Sequence, residues 1–344
     1  MLSRLSSTAG QVAGWSLADV QLADVQLADV QLIGLATGLT ALAGSLGVFD
    51  NGAANVTAYV TEQREQVCQR VARFKELLPS VMGALHAAAV PAVAVKGAAL
   101  LQGVWGAADT RPMADIDVIV PVALRAQAAA ALTRAGLRPL HSTAYEDVFL
   151  AWGDGGVGRT DGESVNHNGR VELHPGWVEF LHGYTVRGCA FDAAAFDHEA
   201  LTVHVLGHLA STVVRAEVRA VNVVDVWWCA QRPLNRDRMA ALMAATDPRL
   251  TAPALWLVHH LLPDAIPVSD TSREMARLPR SARRSLAAAS PADVLRDPSQ
   301  RTSFRWRQTF TMATRERVAV VDQMLWPYGV RSVRRAAQQL TSRR

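Results

Sequence analysis

The sequence predicts an α/β chain, in the looser α+β sense, with a mainly helical region behind a strand-bearing core. Three observations predict it. Short apolar runs rich in β-branched residues, at 90–95, 114–121 and 170–175, read as buried strands. Helical periodicities over 61–89 and 123–135 alternate with them. From 197 onward the pattern turns helical and stays so. With 344 residues, 50% of them hydrophobic and 19% charged, the chain can bury a sizeable core and is not a disordered polymer.

Composition also excludes some function classes. A net charge of +4 does not by itself argue for nucleic acid. Cys68, Cys189 and Cys229 are widely spaced, which excludes a disulfide scaffold or zinc ribbon and suits a reducing cytoplasm. The chain has two lysines, Lys75 and Lys96; all its other basic side chains are arginine. An arginine-rich, GC-biased sequence explains the rarity, and it raises the question of why Lys96 is kept.

Residues 1–60 read as an N-terminal extension. Leu-Ala-Asp-Val-Gln recurs at Leu17, Leu22 and Leu27. Three copies are too few to stack as a solenoid, and a period of five makes no single helical face, so a slippage duplication is the expected origin. Val30 to Phe49 carries no charge, which leaves two readings. Its length approaches a bilayer span, but it lacks flanking aromatic or basic anchors. Docking on the body of the protein or self-association through residues 30–49 is the preferred reading, and membrane attachment the lesser one. Asp50-Asn51-Gly52 signals a turn.

A core is expected over 61–185. Its first helix opens near Thr61, with Val67, Val71, Phe74, Leu77 and Leu78 at helical spacing and a brief break at Pro79. Val90 to Val95 is the first strand, ended by Lys96-Gly97, and Ala98 to Trp105 reads as a short helix. The second strand, Ala114 to Pro121, opens with Asp115 and Asp117. Strand alternation puts these two acids on one side. Two adjacent carboxylates repel unless a cation sits between them, which points to a divalent metal with hard oxygen ligands; solvated strand-end acids are the alternative. After a polar, glycine-rich excursion over 153–169, Arg170 to Pro175 forms a third strand with Glu172 and His174 on one face. Glu172 is thereby a third acid, expected to approach the site from the other side.

These residues carry a resemblance. Lys96-Gly97, Arg111-Pro112-Met113-x-Asp115-Ile-Asp117 and Val171-Glu172-Leu173-His174 resemble the uncharacterised nucleotidyltransferase family of the polymerase-β-like superfamily. His204-x-x-x-His208, Asn222-Val-Val-Asp225 and Trp326-Pro327 extend the likeness over about 61–335. The resemblance implies a mixed sheet and Mg²⁺-dependent transfer of a nucleoside monophosphate from an NTP, such as ATP, with Mn²⁺ as an alternative ion. It implies Asp115, Asp117 and Glu172 as metal ligands and catalytic residues, with Glu172 also the general base. Lys96, Gly97, Ala98 and Arg111 would bind the nucleotide. For Lys96 a strand-end ion pair, and for Arg111 a solvated loop position, remain open. His174 orients Glu172, contacts the acceptor or is structural; Asp225 buttresses the strands or the acceptor pocket. Gly97-Ala98 departs from the superfamily's usual Gly-Gly or Gly-Ser, so one phosphate-contacting hydroxyl is missing.

Residues 186–344 are expected to be mainly helical. His204 and His208 share a helix face; without a third ligand they read as a packed pair rather than a zinc site. Val221 to Cys229 is a core helix, and 238–262 holds two more. Ser269 to Arg301 reads as a mobile basic stretch, and further arginines follow to Arg344. The expected function is an Mg²⁺-dependent, cytoplasmic nucleotidyltransferase. The alternative is an inactive nucleotide- or partner-binding protein of the same fold. The acceptor, which could be a small molecule, peptide, protein or tRNA, is not written in the sequence.

Overall fold

The computed structural model describes residues 40–41, 53–105, 108–152, 169–181, 184–188, 196–215, 218–262, 265 and 268–289. The Leu-Ala-Asp-Val-Gln repeat, most of the uncharged segment, the excursion over 153–168 and everything from 290 on lie outside the described residues.

The first helix, α1 (Ala54–Ala87), starts seven residues earlier than Thr61 and runs through Pro79 without a break. Val56, Val60, Val67, Val71, Phe74, Leu78, Val81 and Leu85 form its buried stripe. Pro79 sits on the exposed side, so the hydrogen bond it removes faces solvent. Then follow β1 (Val93–Val95), a five-residue helix α2 (Lys96–Leu100), β2 (Asp115–Val120), α3 (Arg125–Arg134), β3 (Arg138–Ser142), β4 (Asp147–Leu150) and β5 (Arg170–Pro175). The expected helix over 98–105 is therefore shorter and opens at Lys96 itself. A separate hairpin, β6 (Val178–Leu181) and β7 (Tyr184–Arg187), precedes the helical region.

The five strands form one mixed sheet in the order β1-β2-β5-β4-β3. Only β2 and β5 run parallel; the other pairs are antiparallel. The sheet separates two cores. Ile116, Val118, Val120, Val171 and Leu173 face α1 and α3, and Ala41 from the N-terminal segment packs into the same cluster. Ile119 on the opposite face joins Val95, Leu100 and Trp105 in the core of the helical region. That region comprises α4 (His198–Arg215), α5 (Ala220–Ala230), α6 (Arg236–Ala245), α7 (Ala252–Leu261), α8 (Val268–Arg277) and α9 (Arg280–Ala288).

The last two helices correct one expectation: the described part of Ser269–Arg301 is not a mobile stretch. Thr271, Glu274, Leu278, Ala282 and Leu286 are buried at helical spacing. Glu274 accepts from the Thr251 hydroxyl, and Arg277 donates to the carbonyls of Met243, Ala244 and Thr246 at the end of α6. The arginines on the outer side of the pattern masked this inner face. No helix among the described residues is long and apolar enough to cross a membrane.

Candidate active site

The site follows from the register of β2 on β5. Asp115 lies opposite Arg170, Asp117 opposite Glu172, and Ile119 opposite His174. Parallel strands alternate in step, so all these positions share the face turned toward the helical region. Glu172 is therefore beside Asp117 on the neighbouring strand; it does not come from across the site.

Cations crowd these acids. Lys96 Nζ donates to Asp117 Oδ1 at 2.7 Å, and His174 Nε2 lies 2.9 Å from the same oxygen. Arg170 Nη2 lies 2.6 Å from Glu172 Oε1, and His174 Nε2 is 3.6 Å from Glu172 Oε2. Lys96 reaches Asp117 from a backbone in the left-handed region, φ +50°. A non-glycine residue pays for that geometry with strain, and such strain clusters at functional sites.

The ionisation of the acids reflects the crowding. Burial alone would raise Asp117, but Lys96 and His174 override it and hold the carboxyl far below the usual range. Burial pushes Glu172 up to about 8, with the charges of Asp115 and Asp117 adding to the shift. Burial and the neighbouring Asp117 also raise Asp115. One oxygen each from Asp117 and Glu172 and one nitrogen of His174 lie within 4.8 Å of one another. Two hard oxygens and an imidazole nitrogen gathered this closely could hold a metal cation. His174 belongs to this trio; Asp115, one pair upstream on the same face, does not.

A second cluster sits beside the first. Arg111 donates from Nε and Nη2 to the two carboxylate oxygens of Asp225 on α5, at 2.8 and 2.7 Å, and from Nη1 to Pro112 O at 3.0 Å. Both residues are buried. Burial opposes the guanidinium charge, but Asp225 outweighs it and raises Arg111. A Cβ on Gly97 would sit 2.5 Å from Arg111 Nη1. The bareness of Gly97 thus admits Arg111 rather than leaving open backbone. Ala98 is buried in α2 beside it. Through this pair Asp225 on α5 is tied to the segment that enters β2. Arg111 is committed to that strut instead of standing in a solvated loop.

Sequence reasoning missed Arg170, although the alternation Arg170-x-Glu172-x-His174 carried the signal. His204 does pack: it stacks on Trp177 at 4.9 Å between ring centroids, and burial pushes its imidazole down to about 3. Trp177 fills a slot that exists because Gly188 and Gly207 have no side chain; a Cβ on either would overlap the indole.

A comparison with protein families matches residues 34–263, about two thirds of the chain, to the family described as "Uncharacterised nucleotidyltransferase". Neither the curated proteins nor the solved structures gave a match. The matched span contains both clusters and every strand of the sheet. On the extent of that match, the chain belongs to the uncharacterised nucleotidyltransferase family.

Proposed function

We propose that the protein transfers a nucleoside monophosphate from an NTP to a hydroxyl-bearing acceptor, with Mg²⁺ or Mn²⁺ as cofactor. The observation that carries this reading is the pairing of Asp117 with Glu172 across parallel strands, with His174 completing a cation-sized trio. In the reaction the acceptor oxygen bonds to the α-phosphorus, the bond to the bridging oxygen breaks and pyrophosphate leaves. Asp117, Glu172 and His174 would hold the ion, with Asp115 one pair upstream on the same face. When bound, it supplies Lewis-acid stabilisation of charge on the phosphoryl oxygens and the leaving group. Glu172, the carboxylate of the trio that is not tied to Lys96, takes the acceptor's proton. Lys96 offers a compact positive charge to the phosphates. Gly97 and Ala98 border the same region, and Arg111 acts through the strut that fixes it.

The second reading is an inactive nucleotide- or partner-binding protein. Its support is the closed contact between Gly97 and Arg111, which leaves a phosphate less backbone to approach than an open glycine loop would.

The test is incubation of the full chain with each α-labelled NTP, Mg²⁺ or Mn²⁺ and a host lysate, followed by separation of labelled protein, RNA and small molecules. Label transfer that is lost in Asp117→Asn supports the enzyme. Nucleotide binding without transfer supports the second reading.

A further inference from the structure

Arg170 differs from Arg111 and Arg125, the arginines that pair with carboxylates elsewhere around the sheet. Arg111 uses Nε, Nη1 and Nη2. Arg125 likewise grips Asp147 with Nε and Nη2 and adds backbone carbonyls around the β3–β4 turn. Those are arginines fixed in a fork, as a structural ion pair requires. Arg170 reaches Glu172 through Nη2, while its Nε is buried without a partner. Its side chain is not enclosed, with 28% of its surface exposed against 23% for Arg125 and 9% for Arg111, and it lacks the two-nitrogen grip that fixes those two.

The crowding at Glu172 gives the turn a direction. Arg170 Nη2 lies 2.6 Å from Glu172 Oε1, and Glu172 also offers an oxygen to the trio it forms with Asp117 and His174. A divalent ion held by that trio competes with Arg170 for the oxygens of Glu172 and adds positive charge beside Lys96 and Arg170. A cation displaced from its carboxylate, in a site that has just gained positive charge, is matched by a polyanion.

We propose that Arg170 has two positions: it pairs with Glu172 while the site is metal-free, and turns to grip the triphosphate once a divalent cation takes Glu172. The inference rests on the nucleotidyl-transfer reading and adds to it a triphosphate-binding residue. Planar bidentate recognition of phosphate is what a freed guanidinium provides.

The test uses the full chain and two probes: Mn²⁺ alone, counted from the electron paramagnetic resonance of the free ion, and Mn²⁺ with inorganic tripolyphosphate, followed by calorimetry. Tripolyphosphate needs no base or acceptor to be recognised. Arg170→Gln should bind Mn²⁺ alone at least as tightly as wild type. It should bind Mn²⁺–tripolyphosphate roughly 10- to 100-fold more weakly, the range for a lost charged hydrogen bond. Arg170→Lys should fall between the two. Circular dichroism establishes that each variant is folded. If Arg170→Gln is not, Arg170→Lys carries the test, with weaker tripolyphosphate binding and unchanged Mn²⁺ binding expected. Equal losses for both probes would make Arg170 a prop for Glu172 and overturn the proposal, as would unaltered tripolyphosphate binding. A wild type that takes Mn²⁺ but never tripolyphosphate would instead overturn the nucleotidyl-transfer reading itself.

Discussion

Glu172 is the residue at which burial, charge and chemistry meet most directly. Its folded-state pKa of about 8 lies above its ordinary 4.5, so between those values the folded protein holds a proton that the unfolded chain has released. Stability must then fall as pH rises through that interval and level off above it. His204 acts in the opposite sense, but only between about 3 and its ordinary 6.5. The window from pH 6.5 to 8 therefore belongs to the acids. Metal-free wild type should lose on the order of 1–2 kcal/mol across it, and Glu172→Gln should flatten the loss. Urea unfolding at both pH values is the measurement; an undiminished loss in the variant would show that burial does not set the proton affinity of Glu172. The acids, Lys96 and the shared face of Glu172 and His174 were legible in the sequence because a strand's two-residue period is strict. The direction of approach of Glu172 was not, since it depends on β5 lying parallel and in register beside β2, a long-range pairing with no local signature. Nor could periodicity reveal that Lys96 adopts a left-handed backbone.

At the scale of elements, the Arg111–Asp225 pair joins the entry of β2 to α5. The sequence named both residues but not their pairing, because 114 positions separate them. Similarly, β3 was invisible: all five of its residues are exposed, so it lacks the alternation that marks a half-buried strand. The pair makes a specific prediction. Asp225→Leu leaves a buried guanidinium unpaired and should cost about 3–5 kcal/mol. Adding Arg111→Met removes the orphaned charge, so the double variant should be more stable than Asp225→Leu alone. Denaturant midpoints of the single and double variants decide it; a double variant as unstable as the sum of its parts would mean that the two residues act independently. Gly97→Ala tests the same strut from its other side. The added methyl must displace Arg111 Nη1, and overpacking of this kind should cost about 1–3 kcal/mol. The cost should largely vanish when Arg111→Met is already present, because the clashing atom is gone.

For the whole molecule, the sheet acts as a partition. One face packs on α1 and α3, and the other presents the acids to the helical region, so a perturbation of one core reaches the other mainly through the sheet. The N-terminal segment bears directly on this division. Ala41 is buried in the same core as Val67, Val71 and Phe74 of α1 and the inner residues of β2, the core on the face away from Asp117. The family match likewise begins at residue 34, inside the anticipated extension. Within the uncharged segment it is the described residues Thr40 and Ala41 that pack on the body of the protein. Removing residues 1–52 leaves α1 and the residue preceding it intact but strips this cover from an apolar surface. The truncated protein should therefore melt at a lower temperature than the full chain, or associate through the uncovered patch. It should bind Mn²⁺–tripolyphosphate with unchanged affinity, because neither β2 nor β5 loses a contact on its acidic face. Melting curves and size-exclusion chromatography measure the first effect and calorimetry the second. A truncated protein that stays folded yet loses tripolyphosphate would show that the segment helps to build the site, and the sheet would then not separate the two functions. A truncation that costs no stability would show that the burial of Ala41 contributes little, leaving self-association or membrane attachment as the role of residues 30–49.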